Sequence, residues 1–322
     1  MAQRRAVSAE YTRRLIAAAR WQSAHRSTTL PRRLTRRRRP AIERYSMNLV
    51  LIADDGPANA WLIREVERAH DIRLIIRPDW SVPRPASTGA RTSARVSLLT
   101  RVARALRRRY FAPLEEAGRQ RLASELFAGE PMPKPRSPVS TVPSWDTNGA
   151  STEGLIRDAA PDVIVVSGAP ILRANIFGLS LRGTVNLHFG VSPDYRGMHT
   201  LVVPWQQMDY DHLGATLHTV DQGIDSGPVL FRVYPAMTPT DDLVTVEGKI
   251  VRQAAKALVD FLTAIRAQPP AGRLAGRSQG SGGRLVRFHD RTIRADVLDK
   301  ARRLTGERAP VRAEREELFY RQ

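Results

Sequence analysis

The chain reads as an α/β protein with a doubly wound, mostly parallel sheet, a helical insertion and basic terminal extensions. Three observations carry this reading. From Met47 onward, short β-branched runs alternate with segments of helical periodicity, the rhythm of βαβ units. Val163-Ile164-Val165-Val166 is continuously apolar, as a strand covered on both faces must be. The 322 residues, 42% of them hydrophobic, suffice for at least one large core.

The elements follow in order. Residues 48–53 predict a first strand, ending in the turn-rich stretch Asp54-Asp55-Gly56-Pro57-Ala58-Asn59, which leads into a helix carrying Trp61, Leu62 and Val66. Such a turn is where these sheets place anions on a helix N-terminus; it matches no phosphate-loop consensus, and a plain strand-to-helix turn is the alternative. Residues 71–76 read as a second buried strand. Residues 79–138 leave the rhythm for an Arg-rich helical segment, 93–127, whose Arg107-Arg108-Arg109 reads as a solvated face or a phosphate contact. The pattern then resumes. It predicts a helix over 150–159 capped by Asn148 or Ser151, strands over 162–166 and 183–188, and a strand pair at 215–220 and 229–234. Asp241-Asp242 precedes a long helix with Val246, Ile250, Ala254, Leu258 and Phe261 on one stripe. Beyond Ile265 the pattern predicts a Gly/Ser/Arg linker, a short hairpin over 285–293 and a terminal helix.

The formal charge of +19 is uneven. Residues 1–46 hold 13 Arg and 2 acids, and residues 266–322 hold 14 Lys+Arg and 7 acids, leaving 24 basic and 23 acidic residues between them. Three domains follow: an Arg-rich extension over 1–46, expected to be disordered, a catalytic domain over 47–265, and a Gly/Arg-rich linker with a short extension over 266–322. The first segment reads as an anion-binding arm, a targeting segment, or sequence ahead of a translation start at Met47. With no cysteine, disulfides and thiolate chemistry are excluded. With no apolar run near the roughly 18–20 residues of a membrane helix, a cytoplasmic protein without membrane contact is expected.

Chemistry concentrates between Asn186 and Asp225. Asn186 and His188, two residues apart on a strand, emerge on the same face at its carboxyl end. Asp225 lies in a loop with Gly223 and Gly227, where backbone can approach a ligand closely. Asn, His and Asp without Ser or Cys suggest acyl or proton transfer with no covalent enzyme intermediate. His199 reads as a ligand contact or a structural turn histidine, Arg196 as an anion contact or a loop-fixing salt bridge, Trp61 and Trp205 as core or rim aromatics, and His218 as a satisfied core histidine.

Three segments carry a family resemblance: Pro161-Asp162-Val163-Ile164-Val165-Val166; Gly183-Thr184-Val185-Asn186-Leu187-His188-Phe189-Gly190-Val191-Ser192-Pro193-Asp194-Tyr195-Arg196-Gly197; and Gly214-Ala215-Thr216-Leu217-His218-Thr219-Val220-Asp221-Gln222-Gly223-Ile224-Asp225-Ser226-Gly227-Pro228-Val229. Together they resemble the 10-formyltetrahydrofolate-dependent formyltransferases, which include glycinamide ribonucleotide, methionyl-tRNA and amino-sugar enzymes. The resemblance implies a Rossmann-like fold and a catalytic trio of Asn186, His188 and Asp225. It implies formyl transfer from 10-formyltetrahydrofolate to a small-molecule primary amine, such as a nucleotide-linked amino sugar, through a tetrahedral intermediate and without a metal. Asn186 and a charged His188 would stabilise the oxyanion, with Asp225 holding that charge and steering the proton. Gly168, Ile171, Leu172, Val220, Asp221, Gly223 and Ile224 would line the pterin site.

Departures from the pattern bear on the acceptor. Many members have Ser-Leu-Leu-Pro soon after the histidine, where this chain has Gly190-Val191-Ser192-Pro193. The residues after Ile265 are too few and too Gly/Arg-rich for the C-terminal barrel of methionyl-tRNA enzymes. The alternatives are a methionyl-tRNA formyltransferase without that barrel, a formyltetrahydrofolate hydrolase, and a basic nucleic-acid-binding protein.

Overall fold

A computed structural model describes residues 46–85, 98–269, 272–280 and 282–320, so the Arg-rich run at 32–39 lies outside the described residues. The chain runs β1 (Leu49–Ala53), α1 (Pro57–Ala69), β2 (Ile72–Asp79), α2 (Leu98–Phe127), β3 (Val139–Pro143), α3 (Ala150–Ala159), β4 (Val163–Ser167) and α4 (Ala174–Phe177). There follow β5 (Gly183–His188), β6 (Tyr195–Gly197), α5 (Val202–Gln206), β7 (Ala215–Thr219) and β8 (Val229–Tyr234). Then come α6 (Leu243–Arg266), β9 (Arg284–Val286), α7 (Ile293–Leu304) and β10 (Arg315–Leu318).

Eight strands form one sheet in the order β10-β8-β7-β5-β4-β1-β2-β3. From β3 to β5 all neighbours are parallel, and β7, β8 and β10 extend the sheet antiparallel. Alternation along β1 shows why helices cover both faces. Leu49, Leu51 and Ala53 enter one core with α1 and α6, while Val50 and Ile52 enter the other with α3 and α4. Each of these five residues is at most 1% exposed, so truncating one of the larger ones costs about 2–5 kcal/mol. The whole stripe predicted on α6 is buried, and Asp242 caps this helix by accepting from Thr245 N at 3.0 Å. No helix among the described residues is long and apolar enough to cross a membrane.

Several local expectations are corrected. Gly149, without a side-chain hydrogen bond, is the N-cap of α3. Asn148 instead pins the loop after β4, donating to Ile171 O and accepting from Arg173 N. Residues 285–293 form no hairpin: β9 pairs with β6, and a short 3₁₀ turn leads into α7. The Gly/Arg-rich segment from 266, read as a linker with a short extension, is built into the fold, with β10 adding an edge to the main sheet beside β8. β3 had no sequence signal, because only one of its five residues is buried and prolines precede it.

Candidate active site

Parallel register fixes where ligands can bind. Ala53 pairs with Ser167 and Val166 with Asn186, so the carboxyl ends of β1, β4 and β5 share one edge. Asn186 and His188 leave β5 there. Asp225, in a loop with φ +48°, turns back onto them.

The three side chains meet. Asn186 Nδ2 donates to Asp225 Oδ1 at 3.0 Å, and His188 Nδ1 lies 3.5 Å from Asp225 Oδ2. Gly197 N–H donates to the same Oδ2 at 2.8 Å, so β6 supports the carboxylate from a second segment. His188 Nε2 faces the Tyr195 carbonyl at 3.1 Å, an acceptor that requires this nitrogen to carry the proton. A Cβ on Gly190 would fall 2.5 Å from Nε2, so only glycine leaves that nitrogen room.

His218 belongs to the cluster, and sequence reasoning passed over it as a core histidine. It is 2% exposed, yet Nε2 stands 3.2 Å from Asn186 Nδ2 and 3.5 Å from Asp225 Oδ1. Its Nδ1 donates to Thr219 O at 2.9 Å. No local sequence signal marks it: the antiparallel register of β7 on β5 is what pairs His218 directly with Asn186. Asn186 therefore points both amide N–H groups toward Asp225 and His218. Its Oδ1 makes no hydrogen bond among the described residues.

Charge follows burial. Burial pushes the His188 imidazole below its ordinary 6.5, and this outweighs the nearby Asp225, which raises it. The expectation that Asp225 keeps His188 charged is corrected: desolvation of the ring is the larger effect. For Asp225, burial alone would raise the carboxyl. It is outweighed by His188, the His218 contact and the Gly197 N–H, which together hold Asp225 well below the usual carboxylate range.

The loops expected to hold the pterin divide. Ile171 and Ile224 are 66% and 38% exposed, one on each loop. Leu172 is buried in the core with Val50 and Ile176, and Val220 N–H is spent on Thr184 O. Gly168, at φ +67°, packs against Asp54 and Asn59. Asp221 closes its own loop by accepting from Gly223 N at 2.9 Å and Ser226 Oγ at 2.8 Å. Gln279, unnoticed in sequence, donates to Asp225 O and Gly227 O at 3.1 and 2.6 Å and ties that loop to the C-terminal segment. Trp205 is a core residue at 2% exposure, and Arg196 keeps a buried Nε without a partner among the described residues.

Comparison with known proteins agrees with the motifs. Residues 128–262, which include every element of the cluster, match the formyl transferase family model. A methionyl-tRNA formyltransferase of Bordetella petrii is 26% identical over 74% of this chain and 64% of its own length. One from Kosmotoga olearia is 28% identical over 39% of this chain and 40% of its own. The chain thus spans less than two thirds of these relatives. A solved structure of a likely sugar N-formyltransferase from Mycobacterium tuberculosis aligns over 79% of this chain and 85% of that one, at 16% identity and a TM-score of 0.48. The similarity to formyl transferases is carried by residues 128–262, the segment that holds the motifs and the trio.

Proposed function

We propose that this protein transfers a formyl group from 10-formyltetrahydrofolate to the primary amine of a small-molecule acceptor. The observation that carries the reading is the convergence of Asn186, His188 and Asp225 into one buried hydrogen-bonded cluster at the carboxyl edge of the sheet. Each of the two loops expected to take the donor carries an exposed apolar side chain, Ile171 and Ile224, that a flat ring could cover. When bound, it supplies an activated formyl carbon; the acceptor nitrogen takes that carbon and gives up one proton, which the departing donor nitrogen receives.

The residues divide the work. His188 Nε2–H exchanges the Tyr195 carbonyl for the formyl oxygen and holds the charge that develops there. Asn186 Oδ1, free of the cluster, accepts an N–H of the attacking amine and aims its lone pair. Asp225, kept ionised, receives the amine's proton directly or through a water and returns it toward the donor nitrogen. Asp225 also orients Asn186 through the 3.0 Å contact.

The test begins with the donor. Calorimetry with tetrahydrofolate should show saturable binding, and 10-formyltetrahydrofolate with an amine panel should release tetrahydrofolate in the presence of one acceptor class. Absence of folate binding overturns the reading. A second acceptor, methionyl-tRNA, is favoured by the names of the curated relatives. Turnover with charged initiator tRNA and none with free amines would select it.

A further inference from the structure

Strand β6 is three residues long, yet it touches both members of the His188–Asp225 pair. Its first residue presents the Tyr195 carbonyl to His188 Nε2 at 3.1 Å, and its third gives the Gly197 N–H to Asp225 Oδ2 at 2.8 Å. A neutral imidazole carries one N–H, and here two acceptors compete for it. The Asp225 carboxylate faces Nδ1 and the Tyr195 carbonyl faces Nε2. A charged acceptor draws a proton more strongly than a neutral one, so the Nε2–H tautomer survives only where geometry favours the carbonyl. It does: the carbonyl stands at 3.1 Å, within ordinary hydrogen-bond range, and the carboxylate at 3.5 Å, beyond it. A small displacement of β6 would reverse that order.

Main-chain pairing gives so short a strand little hold. β6 pairs only with β9, over three residues, and a two-stranded ribbon is marginal in water. The further hold comes from the buried Tyr195 side chain. Its hydroxyl donates to Asp209 Oδ2 at 2.7 Å and stands 3.3 Å from Gln207 Oε1. Asp209 is fixed in turn, its N–H donating to Pro204 O at 2.9 Å and its Oδ1 accepting from His212 Nδ1 at 2.7 Å. Burial alone would raise the Asp209 carboxyl; the hydrogen bonds from His212 and Tyr195 outweigh it and hold the group below its ordinary range. The Tyr195 anchor is therefore a hydroxyl-to-carboxylate bond, among the stronger ones a side chain makes. Among the described residues Asp209 has no hydrogen bond to Asn186, His188 or Asp225, so its influence on them passes through Tyr195.

We infer that Asp209 is a positioning residue for formyl transfer: by anchoring the Tyr195 hydroxyl it holds the Tyr195 carbonyl against His188 Nε2, and so selects the imidazole tautomer that can donate to the formyl oxygen. The inference rests on the formyl-transfer reading for what that N–H does, whereas the tautomer is a property of the free protein. His212 supports the anchor from the far side of Asp209, and its Nε2 lies 3.8 Å from Asp194 Oδ2, on the residue just before β6. Losing the anchor would let the His188 proton pass to Nδ1 and on to the Asp225 carboxylate, leaving Nε2 with a lone pair where a donor is needed.

The experiment is nitrogen-15 NMR of the histidine rings in the full-length protein, at a pH where His188 is neutral, beside kinetics with 10-formyltetrahydrofolate. Protonated and unprotonated ring nitrogens resonate far apart, so the tautomer is read directly, and His188→Ala identifies the signals of His188. In the wild type the proton should sit on Nε2. In Asp209→Ala and in Tyr195→Phe the Nδ1–H tautomer should become the larger population, and kcat should fall about ten- to a hundredfold with the donor KM within about twofold. Asp209→Asn keeps an oxygen for the Tyr195 hydroxyl and should restore the tautomer and most of kcat. If Asp209→Ala fails to fold, Tyr195→Phe, which removes a single hydroxyl, decides in its place. A wild-type proton on Nδ1, or a tautomer unmoved in the variants whatever their melting temperature, overturns the inference. Tetrahydrofolate calorimetry in parallel separates the two ideas. A tautomer that follows Asp209 in a protein that binds no folate leaves the anchor and removes formyl transfer; folate binding with a tautomer indifferent to Asp209 removes only the anchor.

Discussion

Two turns lie on the same carboxyl edge of the sheet, the one after β1 and the one after β5, and they use that edge in opposite ways. After β1, Asp54 accepts from Gly56 N and Asn59 Nδ2, both at 2.8 Å, and Asn59 donates onward to Ser167 O at 3.1 Å. Gly168 closes over this pair so tightly that a Cβ would stand 2.4 Å from Asp54 Oδ2. The helix N-terminus that could bind a phosphate is filled by the protein's own carboxylate. After β5, the side chains also bond one another, yet they leave Asn186 Oδ1 free and a His188 N–H whose partner, the Tyr195 carbonyl, can be exchanged. An edge that favours ligands does not by itself make a site; what counts is whether the donors there are already committed.

The largest expected effects break the second turn. His188→Ala and Asp225→Asn should each lower turnover by about two to three orders of magnitude, roughly 3–4 kcal/mol, as loss of an oxyanion donor does elsewhere. Tetrahydrofolate affinity should change far less. The double mutant should be little worse than the worse single one, because the groups act as a unit. Steady-state kinetics and calorimetry decide, and near-normal turnover in either single variant would remove these roles. Asp225→Asn also has a pH signature. Asp225 raises the His188 pKa against burial, so its neutralisation should move the acid limb of the rate profile to lower pH.

Stability should follow the same pair of groups. Both titrate below their ordinary values in the folded protein, 3.8 for Asp225 and 6.5 for His188, so the unfolded chain binds more protons through the acid range. Folding stability should therefore rise with pH. The His188 contribution is fully present above about pH 6.5 and is lost below it; the Asp225 contribution is lost on falling below about pH 4. Urea midpoints between pH 4 and 8 would show this, and His188→Ala should flatten the curve between pH 5 and 7.

Breaking the first turn should spare chemistry and cost stability. In Gly168→Ala the new Cβ meets Asp54 at a backbone φ of +67°, where an L side chain is strained. A loss of about 2 kcal/mol and a Tm lower by several degrees are expected, with kcat within a few-fold of wild type. Turnover reduced as severely as in His188→Ala would mean that the two turns are not separate.

How far this contrast was legible in the sequence depends on the kind of contact. Asn186 and His188 could be paired from strand period alone, and the strands at 183–188 and 229–234 coincide with β5 and β8, because buried strands announce themselves by apolar runs. Asp225 came from the family motif; nothing local says that its loop returns to β5. Cross-strand neighbours such as His218, and long-range ties such as Gln279, depend on topology rather than periodicity. The C-terminal segment was misjudged for the same reason. Its Gly and Arg content looks like a linker, yet β10 needs only the backbone of an open sheet edge to pair with β8.

Gln279 gives the smallest and most discriminating prediction. Its amide holds Asp225 O and Gly227 O from outside the family-matched segment, and it touches no reacting group. Gln279→Ala removes two hydrogen bonds to carbonyls that are part-buried, at about 1 kcal/mol of loop stability. The Asp225 loop would then sample other positions, and turnover should fall about three- to tenfold with folate affinity nearly unchanged. Gln279→Glu separates positioning from simple destabilisation. A carboxylate facing two carbonyl oxygens is repelled at neutral pH and can donate once protonated, so its turnover relative to wild type should recover as the pH is lowered toward 5. A purely structural role would leave that ratio flat, and the active loop would then be held by its own Asp221 and Ser226 contacts, as self-contained as the turn after β1.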